Sequence, residues 1–265
     1  MPAQKTVLIT GCSDGGIGSA LAKEYHARGL RVFATSRRSE TMEELSAGGI
    51  ETLALDVTDS DAIKRTKDEI STRTGGKLDI LVNNAGQTYE AAVADMDLAA
   101  ARTLFELNVW APVSMVQEFL PLLISSGRGC IVNIGSTAGI MPVPLQAAYN
   151  MSKAAIHQFG YTLGVELAPF DIRVVNIPSS SSGFAHLTIS FPDKAVPTDE
   201  YARGVVAETI KDKPRAWLWG GRAAGLTWLL TTFFPRSIID WIITDMYGFP
   251  KFAAQVRKEK AKKRA

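Results

Sequence analysis

Residues 7–18 constrain the fold more than any other part of the chain. They read Val-Leu-Ile-Thr-Gly-Cys-Ser-Asp-Gly-Gly-Ile-Gly. A β-branched run passes through a glycine cluster into a helical pattern, which is how a βαβ unit opens. Each glycine has a separate use. Gly11 permits the tight turn, Gly16 lets backbone approach a ligand closely, and Gly18 lets the helix pack on the sheet. The helix N-terminus after them presents free N–H groups and a positive dipole end, which suits a pyrophosphate. Many loops carry glycine clusters, so the order strand, turn, helix gives this one its meaning. Gly11, Ser13, Gly16, Ile17 and Gly18 are therefore candidate dinucleotide contacts.

The alternation continues. Strand patterns occupy residues 31–35, 52–55, 80–82, 131–134 and 173–177, and helical patterns occupy 17–28, 61–73, 103–124 and 147–167. This predicts an α/β fold, a single doubly wound Rossmann-type parallel sheet with helices on both faces. No internal repeat or low-complexity linker divides the chain, so residues 1–265 read as one domain. A net charge of +2 gives no reason to expect nucleic acid as a partner. Cys12 and Cys130 make no disulfide framework, which fits a reducing, cytoplasmic setting, and the start of the chain lacks signal-peptide architecture. Two cysteines and three histidines form no ligand cluster, so no metal site is expected; His26 and His157 read as structural.

The end of the second strand meets the adenosine ribose in dinucleotide folds, where an acidic residue favours NAD. This chain has Ser36-Arg37-Arg38 instead. Two guanidinium groups and a hydroxyl suit a 2′-phosphate, hence NADP(H). The plainer reading is an exposed basic loop.

Four more elements follow in order: Asp56-Val57, Asn83-Asn84-Ala85-Gly86, Ser136, and Tyr149-Asn150-Met151-Ser152-Lys153. Together with the glycine turn they resemble the short-chain dehydrogenase/reductase family over about residues 5–178. The resemblance implies a catalytic tetrad of Asn108, Ser136, Tyr149 and Lys153. It implies that Asp56 and Val57 hold the adenine, and that Asn83, Ala85 and Gly86 line the cofactor and stabilise the central strand. It also implies that Lys153 binds the nicotinamide ribose and that Asn108 anchors a water leading to Lys153. Elementary chemistry supports the pair at the centre. Tyr149 and Lys153 are four apart and share a helix face. A nearby ammonium is expected to pull the phenol below its ordinary pKa of about 10, so that Tyr149 exchanges a proton with a carbonyl oxygen. Ser136 can hydrogen-bond the same oxygen.

Two departures stand out. The glycine turn is one residue longer than the family's commonest form, and in this it looks like a fungal, lipid-directed branch that includes acyl-dihydroxyacetone-phosphate reductases. After the sixth strand the usual Pro-Gly is replaced by Pro178 and the run Ser179 to Ser182, which puts nicotinamide positioning in question if the missing glycine needs a positive φ. Thr188 is the candidate loop hydroxyl.

Residues 184–265 read as a substrate-side cap and a helical, apolar C-terminal extension. The longest uncharged stretch there, between Arg222 and Arg236, is shorter than the about 20 residues a membrane span needs. The aromatic segment reads either as a cap or oligomer contact, or as a peripheral contact with an internal membrane or lipid surface. The basic tail from Lys251 to Arg264 reads either as a solvated end or as attraction to such a surface. The expected activity is NADPH-dependent reduction of a carbonyl in a hydrophobic lipid, terpenoid, steroid or polyketide-like molecule. Met141-Pro142-Val143-Pro144 is expected to wall the pocket. The alternatives are NADP-dependent alcohol oxidation and a non-redox isomerase or cyclase use of the same fold. The resemblance favours a homodimer or homotetramer through the helices carrying Asn108 and Tyr149.

Overall fold

The computed structural model describes residues 4–179 and 196–262. The expectations for Ser180 to Ser182, for Thr188 and for Lys263 and Arg264 fall outside them. Six strands, β1 (Thr6–Thr10), β2 (Arg31–Ser36), β3 (Glu51–Ala54), β4 (Ile80–Asn83), β5 (Cys130–Ile134) and β6 (Arg173–Ile177), form one parallel sheet in the order β3-β2-β1-β4-β5-β6. The chain winds outward to β3, then returns past β1 to start β4. That reversal opens a crevice at the carboxyl ends of β1 and β4, where ligands bind in such sheets.

All the strands but β3, which lies at the sheet edge, are buried on both faces, and side-chain alternation decides which core each residue joins. Along β1, Val7 and Ile9 pack with Leu21 and Tyr25 of α1 (Ile17–Ala27) and with Val205 of α7 (Thr198–Thr209). Leu8 points the other way, into a core with Phe33, Ile63 of α3 (Ser60–Thr74), Phe119 of α5 (Ala111–Ser125) and Leu163 of α6 (Ala147–Leu167). A short helix, α2 (Glu43–Ala47), links β2 to β3.

The helix expected over 103–124 has a different build. It begins earlier, as α4 (Leu98–Phe105), because Asp97 caps it by accepting the N–H of Ala99 at 2.8 Å. A π-helical turn at Glu106–Trp110 then separates α4 from α5. Pro112 supplies the reason: it has no N–H for the carbonyl four residues back, and its ring crowds that carbonyl, so the helix widens there. The run Leu98–Ser125 is long and apolar enough to cross a membrane by composition, but half of its 18-residue apolar window is buried inside the protein.

Beyond β6, residues 216–220 lie along the sheet edge. Leu218 donates its N–H to the Asn176 carbonyl at 2.9 Å, and Gly220 donates to that of Pro178. Three helices follow: α8 (Arg222–Phe233), α9 (Arg236–Met246) and α10 (Phe249–Lys262). α8 packs on α9, and α9 on α10.

Candidate active site at the sheet reversal

The glycine turn fits its neighbours so closely that side chains are excluded. Gly11 has φ +74°, and a Cβ on it would lie 2.8 Å from the Ala85 Cα. A Cβ on Gly18 would sit 2.3 Å from the Gly11 carbonyl oxygen, and one on Gly16 would sit 3.0 Å from that of Ser13. Asn84 ties the turn to β4: its Nδ2 donates to the carbonyls of Thr10 (2.8 Å) and Gly11 (2.9 Å). Thr10 returns the tie, its hydroxyl accepting the N–H groups of Asn84 and Ala85, both at 3.0 Å. These two residues were not singled out from the sequence, although Asn84 lies inside a recognised motif. The first turn of α1 has no side-chain cap, so its N–H groups remain for an anion. Within the lengthened turn, Asp14 leans toward the loop after β2: its N–H donates to the Thr41 carbonyl at 2.8 Å, and its carboxylate accepts the N–H of Glu44.

At the end of β2 three hydroxyls meet. Ser36 Oγ and Thr41 Oγ1 are 2.7 Å apart, and Ser13 Oγ lies 3.2 Å from Thr41 Oγ1 and 3.4 Å from Ser36 Oγ. Arg37 and Arg38 are exposed beside them. Thr41 was not anticipated, because it stands five residues past Ser36 in a 3₁₀ turn, Ser39–Met42, that brings it back. Asp56 lies close enough to feel the Arg37 charge. Its carboxyl is held below the usual range, mainly by the Thr58 hydroxyl donating at 2.7 Å. Val57 beside it is buried.

The four tetrad candidates converge from three elements. Ser136 follows β5, Tyr149 and Lys153 lie on α6, and Asn108 sits in the π turn. The Ser136 hydroxyl lies close enough to Tyr149 to draw the phenol pKa down. Lys153 Nζ donates to the Ile134 carbonyl at 3.1 Å and stands 5.8 Å from the centre of the Tyr149 ring. Asn108 Nδ2 donates to the Gln87 carbonyl (2.9 Å) and to Ser152 Oγ (3.1 Å), and its Oδ1 accepts the N–H of Gln87 (3.0 Å). Gly86 leaves room for both neighbours: a Cβ there would lie 3.1 Å from Asn108 Oδ1 and 3.6 Å from Lys153 Nζ.

The electrostatics differ from the expectation in one respect. Burial pushes the Tyr149 phenol above its ordinary value, and the nearby Ser136 hydroxyl only partly offsets this. Burial also brings Lys153 down to about 8. Desolvation disfavours both charged forms, and it outweighs the expected pull of the ammonium on the phenol.

Behind the site, Asn83, Asn133 and Asn176 form a ladder across β4, β5 and β6. Asn83 Nδ2 donates to Asn133 Oδ1 at 3.0 Å, and Asn133 Nδ2 donates to Asn176 Oδ1 at 3.3 Å. The Asn83 amide is thus turned along the sheet. Ser179 does not need glycine's freedom: Leu145 and Asp171 are the positive-φ non-glycine residues among those described. Its Oγ donates to the Gly135 carbonyl at 3.1 Å, and its own carbonyl accepts the N–H of Thr137.

A nicotinamide dinucleotide phosphate fits these residues. The cradle admits only glycine, the helix end is uncapped, and hydroxyls and guanidinium groups gather where a 2′-phosphate would lie. Comparisons with known proteins identify the family. The sequence pattern of the short chain dehydrogenase family matches residues 5–182. A short-chain dehydrogenase of Penicillium ochrochloron, ptmH, is 48% identical over 92% of this chain and 98% of its own. An NADPH-dependent 1-acyldihydroxyacetone phosphate reductase of Schizosaccharomyces pombe is 42% identical over 67% of this chain and 60% of its own. A metagenomic short-chain oxidoreductase, solved in complex with NADP, superposes with a TM-score of 0.70 at 30% identity, over 81% of this chain and 96% of that one. With a parallel Rossmann-type sheet and a family match over most of its length, the chain belongs to the short-chain dehydrogenase family of oxidoreductases.

Proposed function

We propose that the protein reduces a ketone or aldehyde in a hydrophobic molecule at the expense of NADPH, with Tyr149 as the acid. The observation that carries this reading is the convergence of Ser136, Tyr149 and Lys153: Ser136 follows β5, Tyr149 and Lys153 share α6, and the Lys153 ammonium stands 5.8 Å from the centre of the Tyr149 ring. Bound NADPH supplies the hydride. Ser136 and Tyr149 hold the carbonyl oxygen, and Tyr149 gives it a proton as carbon accepts the hydride. Burial keeps the phenol protonated at neutral pH, the form needed to donate. Lys153 holds the ribose hydroxyls and Asn108 orders the groups behind Lys153. Asp56 and Val57 bound the adenine, and Ser13, Ser36, Thr41, Arg37 and Arg38 receive the 2′-phosphate.

The apolar surroundings of Tyr149 support a hydrophobic substrate: it packs with Ala138, Leu104, Tyr89 and Val143. Residues 184–265 serve as the cap. The same groups run the oxidation of an alcohol when oxidised cofactor prevails. The preference for NADP draws further support from the similar protein named for NADPH dependence and the one solved with NADP. Exposed Trp110, Met151, Tyr161 and Val165, on the π turn and α6, suit pairing of two copies along those helices. The buried free thiols of Cys12 and Cys130 suit a reducing compartment such as the cytoplasm.

The test is turnover of a panel of hydrophobic ketones, with alcohol product and NADPH oxidation followed together. Equal amounts of product and oxidised cofactor are expected. Product without NADPH consumption would sink the reading in favour of a non-redox reaction.

A further inference from the structure

The C-terminal helices leave a large apolar surface open. On α8, Leu226, Leu229 and Phe233 recur at helical spacing, and each is two-fifths or more exposed. On α9, Ile239 and Ile243 turn inward, while Trp241 faces out, 69% exposed. On α10, Phe249 and Phe252 are exposed and share a stripe with Val256. The rest of α10 is basic: Lys251, Arg257, Lys258, Lys260 and Lys262 stand against Glu259 alone. Exposed apolar side chains gathered on three successive helices, α8 against α9 and α9 against α10, mark an interaction site.

Charge identifies the occupant. A second copy seated on the same face would bring two basic helices together, which like-charge repulsion opposes. An anionic lipid surface meets both halves of the feature. Aromatic and aliphatic side chains enter the boundary between headgroups and acyl chains, while lysine and arginine meet the headgroups. The apolar stretch of α8, Ala224–Phe233, is ten residues and spans about 15 Å, half a bilayer core. It therefore lies in the interface plane and does not cross.

The surface adjoins the site. Trp217 packs on the His157 ring at a centroid distance of 5.6 Å, and that ring accepts the N–H of Ser136. Five residues after Trp217 the chain opens α8.

We propose that α8, α9 and α10 form a docking surface for an anionic lipid bilayer, with the mouth of the crevice beside it. Under the reductase reading, a lipophilic carbonyl substrate then reaches Tyr149 from the bilayer. Docking itself does not depend on that reading.

The test uses the full chain and vesicles of phosphatidylcholine, with and without phosphatidylserine. Wild type is expected to sediment with the anionic vesicles and to be released by high salt. Trp241→Ser with Phe252→Ser, and separately Arg257→Glu with Lys258→Glu and Lys260→Glu, should each weaken binding on the order of tenfold or more. The charge reversals lie on an exposed helix and leave the cores untouched, so they remain informative if the serine variant fails to fold. Three results would overturn the proposal. Wild type, monodisperse by size exclusion, stays in the supernatant with both vesicles. Either folded variant binds as wild type does. The serine variant breaks up an oligomer while wild type ignores lipid, which would make the face a contact between copies. Vesicle binding without NADPH-linked turnover would sink the reductase reading alone.

Discussion

The imidazole of His157 accepts the backbone N–H of Ser136 at 3.3 Å. An accepting Nε2 requires the neutral ring with its proton on Nδ1. Burial enforces that form, bringing the pKa down to about 4, with the Lys153 charge as a second cause. Trp217 packs against the ring in a T-shaped arrangement at a centroid distance of 5.6 Å. Gly135 makes the approach sterically feasible, since a Cβ there would lie 2.0 Å from Nε2. His157 thus holds the strand end from which Ser136 projects, and under the proposed reaction this makes it a positioning residue.

His157→Ala should lower kcat on the order of tenfold with little change in KM, and His157→Gln should restore part of the loss by keeping an acceptor. Steady-state kinetics of both variants check this. The ring also sets a pH dependence. Between pH 4 and 6.5 the unfolded chain binds the proton that the folded protein refuses, so stability falls as pH drops through that window. The fall in melting temperature should be shallower in His157→Gln than in wild type.

Lys153 gives a second window, at higher pH and with the same sign. Its folded pKa of about 8 lies below the unfolded value of 10.5, so the unfolded chain holds more protons between them. This lysine's contribution to stability therefore rises with pH from about 8 to 10.5. Lys153→Met removes the buried charge. Measured by thermal melting without added cofactor, its advantage over wild type should be largest below pH 8 and should shrink as pH approaches 10.5.

Tyr149→Phe removes one hydroxyl from an 8%-exposed side chain and leaves the ring packing in place. Turnover should fall at least 10²-fold, the scale of general acid catalysis, while NADPH binding and the melting temperature stay near wild type. Product formation at the wild-type rate would remove Tyr149 from the chemistry.

The hydroxyl and guanidinium cluster should select the cofactor. Arg37→Ala, Arg38→Ala and Thr41→Val are each expected to weaken NADPH binding, the arginine changes by about tenfold, with little effect on NADH. Fluorescence titration of both cofactors decides this, and wild type binding NADH as tightly as NADPH would sink the assignment.

The β1 turn and the strand pattern were legible in the chain because their causes are local. Residues 173–177 were expected as a strand and residues 147–167 as a helix, and β6 and α6 occupy those spans. Glycines at 11, 16 and 18 and a hydrophobic period that switches between two and 3.6 are enough to specify a parallel, doubly wound sheet. What lay beyond the sequence depends on residues far apart in the chain. Thr41 reaches Ser13 only through the loop after β2, and Asn84 reaches Gly11 only because β1 and β4 are neighbours. The spacing of Tyr149 and Lys153 placed them on one helix face, but their proton affinities follow from desolvation, which the surrounding fold sets. The aromatic residues after Trp217 were visible as composition. Which of them turn inward, like Ile239, and which outward, like Trp241, was decided only when α8, α9 and α10 packed on one another, because a helix face is buried or bare according to what lies against it.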